Sequence, residues 1–107
     1  MELLTEELQE QAEKQYSKGS DMDQMIVAKF FTPWAPWTWY LMNKEPESDY
    51  CWGIVEGHDI EAGSFSLAEL RGIAGPFEME IERDLYFKPV IAKDLWKELH
   101  EEQRANS

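Results

Sequence analysis

Three carboxylates and one imidazole fall within six residues in Glu56-Gly57-His58-Asp59-Ile60-Glu61. These are the donor types for a hard divalent ion or an acid/base pair. The same composition also describes an ordinary hydrophilic turn. The other histidine, His100, stands far along the chain, and no His-Glu-x-x-His or calcium-loop spacing occurs. Neither a metal nor a cofactor is therefore expected. Nucleophilic chemistry has no better footing, because the chain holds no Gly-x-Ser-x-Gly and no phosphate loop. Cys51 is the only cysteine, so no internal disulfide can form. Its neighbours Tyr50 and Trp52 mark it as a small buried apolar residue rather than a reactive thiol. No catalytic residue is assigned.

Other groupings are suited to binding. Glu78, Glu80 and Glu82 alternate with Met79 and Ile81. As a strand this segment would project three carboxylates from one face, about 6.5 to 7 Å apart. That repeat approaches the phosphate spacing of nucleic acid. With Glu6, Glu7, Glu10 and Glu13 it could form a decoy for a basic groove, or it could be a plain solvated sheet face. Trp34, Trp37, Trp39, Tyr40, Tyr50 and Trp52 could line a cleft or anchor a partner. Aromatic residues on strands usually belong to the core, and Trp39 and Trp52 are placed there. Trp34, held between Pro33 and Pro36, is the contact candidate. Arg83, Asp84, Tyr86 and Lys88 concentrate polar function in one stretch that could hold an anion or a partner. The alternative is structural, with Arg83 paired to a nearby carboxylate and Asp84 capping a turn.

Twenty-two Asp and Glu stand against ten Lys and Arg, a formal net charge of −12 in 107 residues. Both halves of the chain carry the excess, so it is a property of the whole and not of a tail. Such a field repels nucleic acid and anionic lipid and attracts basic protein surfaces. Direct nucleic-acid binding is thus disfavoured. No apolar run approaches the roughly 20 residues that cross a bilayer, and the acidic N-terminus is unlike a secretory signal. A cytoplasmic location and no membrane partner are expected. The length fits one domain, 1–107, with one core.

The elements that must position these residues follow from periodicity. Thr5 is a good N-cap, and Glu6 and Glu7 suit a first turn, so a helix is predicted to about Tyr16 with Leu8, Ala12 and Tyr16 inward. Residues 25–32 read as a strand with Ile26, Ala28 and Phe30 on one face. The two prolines around Trp34 break it. Trp37 to Met42 resumes in extended form, with Trp37, Trp39 and Leu41 on one side. A polar turn over 43–49 leads to a strand from Tyr50 to Glu56, and Gly57-His58-Asp59 turns into another from Ile60 to Phe65. Ser66 and Glu69 have capping-box spacing, so a short helix begins at Leu67. Residues 78–83 read as an edge strand. Pro89 is placed to open a final helix with Ile91, Leu95 and Leu99 inward.

Several of these stretches also resemble a known family: Leu4-Thr5, Val27 to Pro33 with Trp37 to Tyr40, Gly63 to Leu70, and Glu82 to Pro89. The family comprises small bacterial proteins known only as a domain of unknown function, found on plasmids, conjugative elements and phages. The resemblance spans about Leu4 to Pro89 and treats the helix from Val90 as an extension. It implies a mobile-element origin, and such elements often carry genes that counter restriction or CRISPR defence. It implies no catalytic residue.

The expected architecture is α+β: a mainly antiparallel sheet of four to five strands, with N-terminal and C-terminal helices packed on it and one short internal helix. The expected function is non-enzymatic. An acidic accessory protein binds and blocks a basic surface of a host protein through Glu78, Glu80, Glu82, Trp34, Arg83, Asp84, Tyr86 and Lys88. The alternative is a small enzyme or ligand-binding domain using the aromatic cleft with Glu61, Arg83 and Asp84. Oligomeric state is left open.

Overall fold

A computed structural model describes residues 2–106. Leu3 and Leu4 are buried ahead of Thr5, whose Oγ1 accepts the Leu8 N–H at 3.1 Å and opens helix α1 (Glu6–Lys14). Ala12 is buried and Leu8 half-buried against the core, while Tyr16 is exposed. The helix stops at Lys14 rather than at Tyr16, and a single 3-10 turn, Tyr16–Lys18, follows. Gln15 lies in the break between them. Its Nε2 donates to the carbonyls of Met25 at 2.9 Å and Met42 at 2.7 Å, and its Oε1 accepts the Met25 N–H at 3.0 Å. The side-chain amide thereby fills a gap between two extended segments as a backbone amide would.

Those segments are β1 (Met25–Ile26) and β3 (Thr38–Lys44). The expected strand over 25–32 is split into β1 and β2 (Ala28–Phe31). Val27 and Ala28 both turn toward the core that contains Phe30, whereas Ile26 joins a different one, so the period-two alternation slips at this point. The strands β2, β3, β4 (Tyr50–Glu56) and β5 (Ile60–Ser66) form an antiparallel meander, and β6 (Glu82–Arg83) adds to the β2 edge. The order is β5-β4-β3-β2-β6. The register of β3 on β4 shifts between Leu41 and Asn43. β3 also runs into the expected polar turn, and Asn43 is buried there because its Nδ2 donates to Gln24 Oε1 at 2.9 Å and to the Gly19 carbonyl at 2.8 Å. A buried amide with partners avoids the desolvation cost that would otherwise keep it at the surface.

The short helix α2 (Leu67–Gly72) begins where expected, with Ser66 Oγ accepting the Glu69 N–H at a long 3.4 Å. Pro89 does not open the last helix. Val90 and Ile91 form β7, which pairs with β1, and α3 spans Ala92–Ala105. The first amides of α3, on Ala92 and Lys93, donate to the carbonyls of Gln24 and Met22 at 2.8 and 3.0 Å. Backbone carbonyls thus satisfy donors that a side-chain cap usually takes.

The five-stranded sheet is covered on both faces. Phe30, Trp39 and Leu41 pack with Leu4, Ala12, Leu67 and Leu70 beneath α1 and α2. Tyr40, Met42 and Ile54 pack with Ala92, Leu95 and Leu99 beneath α3. The fold is α+β, and its terminal helices lie on opposite faces of one sheet. Because strand side chains alternate, β3 and β4 each feed both cores.

The glutamate strand over 78–83 does not form. Pro76–Glu78 is a 3-10 turn in which Phe77 and Glu78 take left-handed backbone, φ 56° and 61°. Gly75 N–H donates to the Met79 carbonyl at 2.8 Å, and Ala74 bridges Glu80. Only Glu82 and Arg83 join the sheet. The reason lies in Gly75-Pro76, which closes a tight hairpin before any ladder can start. Ile81 is buried but Met79 is exposed, so the alternation seen in the sequence is not one sheet face.

Candidate functional site

The loop between β2 and β3 is shaped by Thr32. Its hydroxyl donates to the Ala35 carbonyl at 2.6 Å and accepts the Trp37 N–H at 3.2 Å, while Thr32 N–H donates to the Trp37 carbonyl at 3.0 Å. Trp37 and Trp39, two positions apart, then share a face and stack with centroids 6.1 Å apart. Two glycines let backbone press against this group. A Cβ on Gly75 would lie 2.3 Å from Trp34 Cδ2, and one on Gly57 would lie 2.3 Å from Trp37 Cζ3. His58 meets Trp37 edge-on at 5.6 Å. Thr32, Trp34, Ala35, Trp37, Trp39 and Ile73 line an open cleft of about 410 Å³, with no charged residue in its lining.

Beside this cleft stands the hairpin closed by Gly75. Phe77 at its tip is 95% exposed, and Ile73 and Met79 are also exposed. An aromatic ring in water on left-handed backbone carries two unfavourable terms at once, solvation of apolar area and local strain. Such combinations gather where a side chain is presented to a ligand. Glu78 and Glu80 flank the tip and are exposed. A strand that starts at Glu78, as the alternation of the sequence implies, leaves Phe77 outside it. The Gly75-Pro76 dipeptide was the available signal.

The remaining expected site residues are dispersed. Trp34 is half-buried against Gly75 and lines the cleft. Glu82, half-buried, pairs opposite Phe31. Arg83 Nη1 donates to the carbonyls of Glu2 and Leu3, both at 3.0 Å, and so ties down the N-terminal segment. Asp84 Oδ1 accepts the Tyr86 N–H at 2.9 Å, and its Oδ2 lies 3.7 Å from Lys29 Nζ. Asp84 therefore caps a turn, and Arg83 braces the chain through backbone carbonyls. Tyr86, 92% exposed, and Lys88 project from that turn. Glu61 is exposed on β5, at the opposite edge of the sheet from β6, so it does not meet Arg83 and Asp84.

The aromatic set is divided rather than shared. Trp34, Trp37 and Trp39 lie on the α1 and α2 side, and Tyr40 and Trp52 on the α3 side. Tyr50 is exposed where β4 begins. Burial, aided by Glu56, Glu102 and Glu98, holds the Tyr40 hydroxyl well above the usual tyrosine range. Burial likewise pushes the Cys51 thiol up to about 12, against the pull of Lys44 and Arg71. A thiol so placed is a poor nucleophile. Among the described residues, no three His, Cys, Asp or Glu side chains converge to hold a metal ion, and no helix is long and apolar enough to cross a membrane. The carboxylates are spread over the outer side of α1, the hairpin, the turn between β4 and β5, and α3.

No curated protein and no solved structure matches this chain. The family described as Protein of unknown function (DUF2958) matches residues 2–105, α3 included, and the chain belongs to that family.

Proposed function

We propose that this chain is a non-enzymatic acidic binding protein that docks on, and blocks, a basic surface of another protein. Its apolar centre is Phe77 with the adjoining tryptophan cleft, and carboxylates including Glu78 and Glu80 form the rim. The observation that carries the reading is Phe77, 95% exposed on left-handed backbone beside an apolar cleft. Binding energy concentrates in aromatic anchors near the middle of a contact, while rim charge governs partner choice and encounter rate. The net charge of −12 selects a cationic partner.

The resemblance to mobile-element proteins supports a more specific form of the same reading, a cytoplasmic accessory protein directed at a host defence protein. The phosphate-mimic version rests on charge alone, since Glu78, Glu80 and Glu82 do not form a ladder. The ligand-binding alternative keeps its cleft but loses its polar groups, because Glu61 stands at the far edge from Arg83 and Asp84.

The test is affinity capture from the native host with the wild type and Phe77→Ala, washed at low and high salt. A partner retained by the wild type, released by salt and absent with Phe77→Ala supports the reading. Partners held equally by both proteins overturn it. A thermal-shift screen with nucleotides and divalent ions tests the ligand alternative, since a true ligand raises stability with its excess over Kd.

A further inference from the structure

We infer that the free edge of β5 is a second binding surface, which takes up an extended, Lys- or Arg-bearing protein segment as an added strand. β5 ends the sheet, with β4 on one side and, among the described residues, no strand on the other. It is seven residues long, Ile-Glu-Ala-Gly-Ser-Phe-Ser, and contains none of the prolines or lysines that commonly protect an edge. Among the described residues, no backbone or side-chain hydrogen bond outside the β4 ladder reaches the backbone from Ile60 to Phe65. The row of outward N–H and C=O groups is thus open for pairing. Among the described residues, nothing beyond Gly63 and its two chain neighbours comes within 4 Å of where a Cβ would stand, and Ala62 and Ser64 are small and exposed. A bulky side chain of an incoming strand has room over this stretch.

Charge complementarity names the occupant. One hollow of about 390 Å³ adjoins Ser64 to Ser66, and its charged lining residues are Glu69 and Asp49, the latter already paired with Arg71 Nη1 at 3.3 Å. Another of about 380 Å³ adjoins Ile60, and its charged lining residues are Glu56, Asp59 and Glu102. Every charge lining the hollows at the two ends of the strand is therefore negative. Ile60 and Phe65 are five steps apart, about 16 Å at strand rise, so basic residues about five positions apart on one segment reach both hollows. Tyr50 and Phe65 line the first hollow as well, an aromatic and carboxylate pairing that suits a guanidinium or ammonium group. A second copy of this chain is the poorer fit, since each copy brings −12 to the contact.

The probe is a synthetic peptide of about eight residues with lysines five positions apart and threonine elsewhere, compared with a counterpart N-methylated at every amide. The counterpart keeps the charge but has no backbone donors. The expected result is binding of the first peptide at least about tenfold tighter than its counterpart, with slowed hydrogen exchange over 60–66 and weaker binding of Glu69→Lys. Equal binding of both peptides, no binding of either, or unchanged exchange over 60–66 overturns the inference. So does slowed exchange at that segment in a peptide-free dimer, which would make a second copy the occupant. Phe77→Ala should bind the peptide as the wild type does. That result separates this surface from the one under Proposed function, and failure of Phe77→Ala to bind the peptide would overturn the edge assignment.

Discussion

Replacing Phe77 by glycine should strengthen the fold while removing the proposed anchor. Phe77 sits at φ 56°, ψ 33°, where a side-chain-bearing residue costs about 1 to 2 kcal/mol and glycine does not. Glycine also loses more chain entropy on folding, about 0.5 to 1 kcal/mol relative to alanine. From the middle of these ranges, the net advantage of glycine over alanine at this position is about 0.75 kcal/mol. Burial hardly enters, because the side chain is 95% exposed. The ring hides about 10 Å² of its area from water, worth about 0.3 kcal/mol at most. For a chain of this length the expected Tm order is Phe77→Gly above Phe77→Ala by about 2 to 4 °C, with Phe77→Ala close to the wild type. Thermal and urea unfolding followed by circular dichroism give these differences directly. If glycine and alanine prove equal, Phe77 is not held in left-handed backbone. If both variants fall by more than about 1.5 kcal/mol, the ring is packed against the protein and not presented to a partner. Either outcome removes the physical basis of the anchor.

Gly75→Ala should cost about 1 to 3 kcal/mol through overlap with the Trp34 ring alone, since φ is −102° and the backbone tolerates a Cβ. A double-mutant cycle checks this: the cost should vanish in a Trp34→Ala background. Gln15→Ala removes three hydrogen bonds to Met25 and Met42 and should destabilise by about 2 to 3 kcal/mol, with faster amide exchange at Met25. Folding raises the pKa of Cys51 from 9.0 to about 12, and that of Tyr40 also upward, so in both cases the neutral form is favoured in the folded state. The Cys51 contribution to stability is then complete below pH 9 and is lost as pH rises from 9 toward 12, while that of Tyr40 is complete below pH 10 and is lost only at still higher pH. The urea midpoint should decline over that window, and iodoacetamide should label Cys51 at pH 8 only as fast as the protein unfolds. Rapid labelling of the folded protein would contradict the burial argument.

The amino-acid pattern alone settled whatever depends on near neighbours. Thr5 and Ser66 mark helix starts because an N-cap bond spans three residues. The alternation of Trp37, Trp39 and Leu41 fixes a common face, and Tyr50 to Glu56 is a strand with the bounds expected of it. The charge of −12 is a matter of counting. Tertiary structure decided what depends on distant pairing. Val90 and Ile91 leave the helical pattern because β1 lies beside them, and Val27 slips the alternation because its N–H finds the Leu41 carbonyl at 2.8 Å. Which sheet face each terminal helix covers is invisible to periodicity, since both helices carry the same kind of apolar stripe. The glutamate alternation at 78–83 fails for a local reason, the turn at Gly75-Pro76, as well as a distant one. A strand needs a partner along its length, and the hairpin at Gly75-Pro76 leaves only Glu82 and Arg83 in reach of β2, setting Phe77 out in solvent.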